Sequence, residues 1–155
     1  METALVAAFS KAAKSVFKDM FGIEATESGA RELMGAEDHG WDITGLVGLA
    51  GQAQGILAIR LTQSLVASLL EGAGVTVDGT DEIRQLEGGL VGEMTNIIAG
   101  SALSLLPDLD MEIAPPVVVR GVNHKIGWPN IAPVVAISFE FPKGSFEVDL
   151  CIKQR

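Results

Sequence analysis

Basic residues are scarce in this chain: 11 Lys and Arg stand against 20 Asp and Glu in 155 residues, for a formal charge of −9 and a pI near 4.6. A phosphate backbone or an anionic lipid surface would be repelled, which argues against nucleic acid or membrane as partners. Long apolar runs are missing as well. None approaches the roughly 18–20 residues that cross a bilayer, and Met1-Glu2-Thr3 opens on an acid where a signal peptide would be basic. A soluble cytoplasmic protein is the expectation. Cysteine occurs once, so no internal disulfide can form; Cys151 lies in the alternating segment Ser145 to Ile152 and is expected as a core side chain rather than a nucleophile. Proline is absent before Pro107, and charge runs, low-complexity tracts and 20–50-residue repeats are lacking throughout. Nothing marks a domain boundary, so residues 1–155 are read as a single domain.

What the chain has instead is apolar mass and glycine. Hydrophobic residues make up 48%, enough for a packed core. Glycine is 18 of 155 residues, about 12% against a usual ~7%.

Between Thr3 and Phe21, Leu5, Phe9, Ala13, Val16, Phe17 and Met20 recur at spacings of three and four with lysines between them, which predicts an amphipathic helix closed by Gly22. Residues Ile23 to Leu33 read as irregular or weakly extended. The loop Gly35 to Gly40 collects Glu37, Asp38 and His39, the histidine expected as a solvated loop side chain. Trp41 to Leu61 alternates as two strands around a turn at Gly51 to Gly55, an antiparallel hairpin. Its glycines at 45, 48, 51 and 55 do not spell a dinucleotide loop, and no Gly-x-x-x-x-Gly-Lys-Ser/Thr occurs. Thr62 to Glu71 predicts a second helix with a threonine cap, and Asp78 to Leu106 a long third one with Asp81 and Glu82 in its first turn and Pro107 beyond its end. Met111 to Arg120, Ala132 to Phe141 and Ser145 to Ile152 predict three further strands. Strands in runs rather than in alternation with helices give an α+β fold, a mainly antiparallel sheet packed by three helices.

The third helix carries the feature that asks for an explanation. On a helical wheel Leu86, Leu90, Met94, Ile97, Ile98 and Leu105 share one arc, expected to be buried, while Gly89, Gly92, Glu93, Asn96 and Gly100 form a contiguous stripe outside it. Glycine inside a helix costs about 1 kcal/mol relative to alanine, and a solvated face would ordinarily carry Lys, Glu or Gln. Three glycines around one carboxylate and one amide imply either a closely packed neighbouring helix or a partner surface that must reach Glu93 and Asn96.

The run Gly92-Glu93-Met94-Thr95-Asn96-Ile97-Ile98-Ala99-Gly100 resembles the Glu-x-x-Asn signature helix of the CheC/CheX/FliY family of chemotaxis phosphatases, closest to its CheX branch because one copy of the motif is present. Ile43 to Gly51 resembles the family's glycine-rich first hairpin strand, and Ala12 to Glu24 its opening helix, although the Asn-Pro start often seen there is lacking. The resemblance implies a phosphatase acting on a phosphorylated CheY-like response-regulator receiver. In that role Glu93 would ion-pair with the receiver's active-site lysine, Asn96 would orient the attacking water, and Gly89, Gly92 and Gly100 would give clearance for docking. It also implies a homodimer, for which Ala132 to Phe141 is the candidate edge strand. The cofactor would be Mg²⁺ in the receiver, with no metal or cofactor of the chain's own. His39 and His124 lie 85 residues apart in sequence, and Cys151 is near neither. The alternative is a non-catalytic scaffold of the same fold that docks a receiver or a flagellar component.

Overall fold

The computed structural model describes residues 3–34, 39–75 and 79–155. Met1, Glu2, the loop residues Glu37 and Asp38, and the Asp78 helix start expected from sequence lie outside them. Three helices pack on one antiparallel sheet, as the sequence predicts: α1 (Thr3–Phe21), β1 (Thr26–Glu32), β2 (Ile43–Gly51), β3 (Ala53–Leu61), α2 (Gln63–Gly72), α3 (Thr80–Ser104), β4 (Met111–Ile113), β5 (Val117–Arg120), β6 (Val135–Phe141) and β7 (Gly144–Gln154). The strand order is β1-β6-β7-β3-β2-β4, with β5 also pairing β2.

Three of these elements differ from expectation. The weakly extended stretch after α1 is a seven-residue strand, β1, exposed along its whole length and paired to β6. It has no buried face to impose an alternation, so periodicity could not reveal it. The expected strand from Met111 to Arg120 is broken in two, since Pro115 and Pro116 cannot donate to a ladder. Finally, β6 is not an edge: it lies between β1 and β7, so the surface expected to pair with a second copy is already occupied.

Alternation sorts the sheet's side chains. Ile43, Val47 and Leu49 of β2, Leu57, Ile59 and Leu61 of β3, Ile137 and Phe139 of β6, and Phe146, Val148 and Leu150 of β7 join the helices in one core cluster. Phe146 is its centre, stacked on Phe17 of α1 at 3.9 Å and on Phe139 at 4.7 Å between ring centroids. The threonine cap forms as read: Leu65 N–H donates to Thr62 Oγ1 at 3.1 Å.

The opposite face of the sheet is covered by the connection from β5 to β6. Under it lies a buried polar layer, in register across the strands: Thr44 opposite Arg60, Arg60 opposite Glu147, and Ala58 opposite Asp149. Cys151 belongs here, buried as expected but beneath the connection, with its thiol pointing at the carbonyls of Pro129 and Ala132 (3.6 and 3.5 Å). Burial pushes that thiol up from its usual pKa, which leaves it a poor nucleophile.

Asp149 is fully buried, with Arg60 Nη1 at 3.6 Å and no hydrogen bond to either carboxylate oxygen among the described residues. Burial, with Glu147 beside it, outweighs Arg60 and Arg31, and the carboxyl is pushed up to about 9. Its proton is therefore kept in the folded state at neutral pH and released in the unfolded chain. The stability that it contributes is fully present below pH ~4 and is lost as pH rises through about 9, where the folded form also deprotonates. Chemical denaturation near pH 5 and near pH 9 should show wild type losing on the order of a few kcal/mol, and Asp149→Asn, neutral in both states, flattening that slope. An unchanged slope would remove Asp149 as the titrating group.

Candidate functional site

Helix α3 holds the residues singled out in the sequence. Glu93 and Asn96 are both exposed, one turn apart, and neither makes a hydrogen bond or ion pair among the described residues. Two free acceptor oxygens on Glu93 and an amide with both donor and acceptor on Asn96 therefore stand side by side, open to a partner.

The three glycines separate. Gly89 and Gly100 are exposed, and a Cβ at Gly89 would meet nothing within 4 Å. Gly92 is buried: a Cβ there would lie 3.6 Å from Pro116 Cγ and 3.7 Å from Val118 Cγ2. Part of the small-residue stripe thus seats the chain's own β4–β5 linker.

The buried arc of α3 is rotated by about one residue step, ~100°, from the one expected. Its members are Glu87, Val91, Gly92, Met94, Thr95, Ile98, Ala99 and Ala102, while Leu86, Ile97 and Leu105 are exposed and Leu90 only half-buried. The physical reason is space. At the third residue of β2, Gly45 lets the helix sit so close that a Cβ would collide with Thr95 Oγ1, and α3 packs on α1, whose buried face includes Ala8, Ala12 and Ala13. So close a seat brings Thr95, Ala99 and Ala102 inward beside Val91, Met94 and Ile98, all fully buried.

A second tie fixes the first half of the helix. Arg120 of β5 donates to Glu87 Oε1 at 3.2 Å and to the Arg84 carbonyl at 2.6 Å, with Glu87 almost wholly buried. Neither Glu87 nor Arg120 stood out in the sequence; a carboxylate on the buried arc of α3 was the available signal, and it points inward only once the helix phase is right.

The histidines meet, contrary to the expectation of a solvated His39. Their ring centroids lie 5.6 Å apart. His39 Nδ1 accepts from the Trp41 N–H at 3.1 Å, and its Nε2 lies 2.8 Å from the His124 carbonyl and 3.0 Å from Arg60 Nη2. His124 Nδ1 donates to the Gly121 carbonyl at 2.8 Å, and its Nε2 is 2.5 Å from Thr44 Oγ1, which also accepts from Arg60 Nε at 3.1 Å. These bonds lock the 121–134 connection to the back of the sheet, on the face away from α3. Among the described residues no group of three His, Cys, Asp or Glu could hold a metal ion, and no helix is long and apolar enough to cross a membrane.

The sequence profile described as Chemotaxis phosphatase CheX matches residues 43–140, which span the hairpin, α2, α3 and β6. No curated protein matches the chain. Among solved structures, a CheC-like superfamily protein from Shewanella sp. PV-4 is 27% identical over 99% of each chain, with a TM-score of 0.85. The chemotaxis protein CheX from Desulfovibrio desulfuricans is 26% identical over 96% of this chain and 99% of its own, with a TM-score of 0.86. A third similar structure is the CheX–CheY–BeF₃–Mg²⁺ complex from Borrelia burgdorferi, 25% identical over 96% of this chain and 97% of the matched one, with a TM-score of 0.79.

Proposed function

Because the chain belongs to the CheX family of chemotaxis phosphatases, we propose that it hydrolyses the aspartyl phosphate of a CheY-like receiver, with Glu93 as the docking carboxylate and Asn96 as the catalytic amide. The observation that carries this reading is the exposure of both side chains, one turn apart and without hydrogen-bond or ion-pair partners among the described residues, on a helix held from behind by Thr95 and Glu87. A fold relative is known in complex with CheY, BeF₃ and Mg²⁺, which supports a reading in which the receiver brings the Mg²⁺.

In the reaction, water attacks phosphorus, the bond from phosphorus to the aspartyl oxygen breaks, and inorganic phosphate and a free carboxylate result. Charge in such a transition state is spread over the phosphoryl oxygens, and positioning with electrostatic stabilisation supplies most of the acceleration. The Asn96 amide can hold the water in line through one hydrogen bond without taking its proton. Glu93 offers two oxygens to a lysine ammonium, a contact that sets the register of the two proteins. Exposed Gly89 and Gly100 leave the helix bare enough to approach a recessed phosphoaspartate. A homodimer remains part of this reading on family likeness alone.

The test is the decay of a phosphorylated CheY-like receiver from the same organism, with and without the chain. Glu93→Ala should raise KM about tenfold at low ionic strength and less at high, since salt screens the lost ion pair. Receiver binding by wild type with no faster decay would assign the chain to the scaffold class instead.

A further inference from the structure

Several large apolar side chains on and beside α3 face solvent, although the core is otherwise well filled. Leu86 is 38% and Ile97 37% exposed, Leu90 is half-buried, and Val117 of β5 is 58% exposed. Scattered exposed leucines need no explanation, but these are contiguous with the proposed site. At 100° per residue, Leu86, Ile97 and Leu90 all fall within about 60° of Glu93 on one side of the Glu93–Asn96 stripe. On the other side the exposed Pro115, Pro116 and Val117 run alongside the helix, fixed there by Pro116 against Gly92, with Ile113 reaching Gly100. A charged and an amide side chain thus stand between two apolar banks.

We propose that Leu86, Leu90 and Ile97 on one bank and Pro116 and Val117 on the other form an apolar rim that seals against the receiver around its phosphoaspartate. The occupant is the receiver domain itself, the kind of partner with which a similar structure is known in complex. This inference rests on the proposed function and adds what grips the substrate there. A rim that excludes bulk water strengthens the Glu93–ammonium contact, because charges attract more strongly away from water, and leaves the attacking water to Asn96. The rim residues are positioning residues and touch no reacting atom.

Steady-state hydrolysis of a CheY-like receiver from the same organism, kept phosphorylated with acetyl phosphate, separates the outcomes. The double variant Leu86→Ser/Ile97→Ser should raise KM about tenfold, and Val117→Ser alone about threefold, with kcat within about twofold of wild type. Val117 stands on a short strand outside the core cluster, so its variant guards against a folding defect in the double one. KM unchanged in both variants overturns the rim while leaving the assignments of Glu93 and Asn96 intact. Failure of wild type to accelerate decay overturns that reading and the rim with it. Light scattering that finds a wild-type dimer and a monomeric double variant with unchanged KM gives the apolar bank to a second copy of the chain, which also overturns the proposal.

Discussion

Asn96→Ala is expected to bind a phosphorylated receiver nearly as well as wild type and to lose the acceleration of its decay, by about 10²-fold or more in the catalysed rate. The loss follows from the role proposed for the amide. Asn96 is exposed and makes no hydrogen bond among the described residues, so its truncation should leave the fold as it was. What disappears is a hydrogen bond formed only when water stands in line with phosphorus, and an interaction confined to the transition state lowers kcat rather than affinity. Glu93→Ala should do the reverse, raising KM with a smaller loss of kcat. Asn96→Asp keeps the shape but brings a negative charge beside an anionic phosphoryl group, so it should be as inactive as the alanine variant. Single-turnover decay of the phosphorylated receiver, with binding measured separately, distinguishes the two roles; an Asn96→Ala protein of wild-type rate would sink the catalytic assignment.

The exposure of Glu93 and Asn96 was legible in the sequence because exposure on a long helix is a matter of polarity, and their neighbours were glycines instead of lysines. The phase of α3 could not be found the same way. A wheel weighs hydrophobicity alone, whereas the close seat on β2 and α1 also takes small residues, so Thr95, Ala99 and Ala102 lie inward beside Met94 and Ile98, and Leu86 and Ile97 outward. That inversion hid the apolar bank beside the site and made Gly92 look like bare surface when Pro116 and Val118 cover it. The α+β class was legible from strands in runs and three amphipathic helices. The edge of the sheet was not, since β1 is polar on both faces. Least legible was the layer behind the sheet: Arg60, Glu147 and Asp149 look like outward positions of alternating strands until the 121–134 connection covers them, and nothing local ties His39 to His124.

One consequence of the glycine excess falls at Gly45, where Gly45→Ala should lower both stability and catalysis. An added Cβ would collide with Thr95 Oγ1 and lie 3.1 Å from Val91 Cγ1. The backbone cannot retreat, because β2 pairs with β3 on one side and β5 on the other at this residue. Thr95 is fully buried and donates to the Val91 carbonyl at 2.7 Å, so rotating it away breaks that bond inside the core. Helix α3 must therefore lift or Thr95 must give way, at a cost of about 1–3 kcal/mol, or roughly 2–12 °C in Tm for a domain of this size. Thr95 lies between Glu93 and Asn96 in sequence, so a helix that lifts carries both side chains with it, and misplacing a positioning group by a fraction of an ångström is enough to slow the reaction. A folded Gly45→Ala protein should then show a lower kcat at temperatures well below its Tm. Adding Thr95→Ala removes the hydroxyl that the new methyl strikes and should recover part of both losses; Gly45→Ala with wild-type Tm and wild-type decay would mean that close approach to β2 does not set the position of α3.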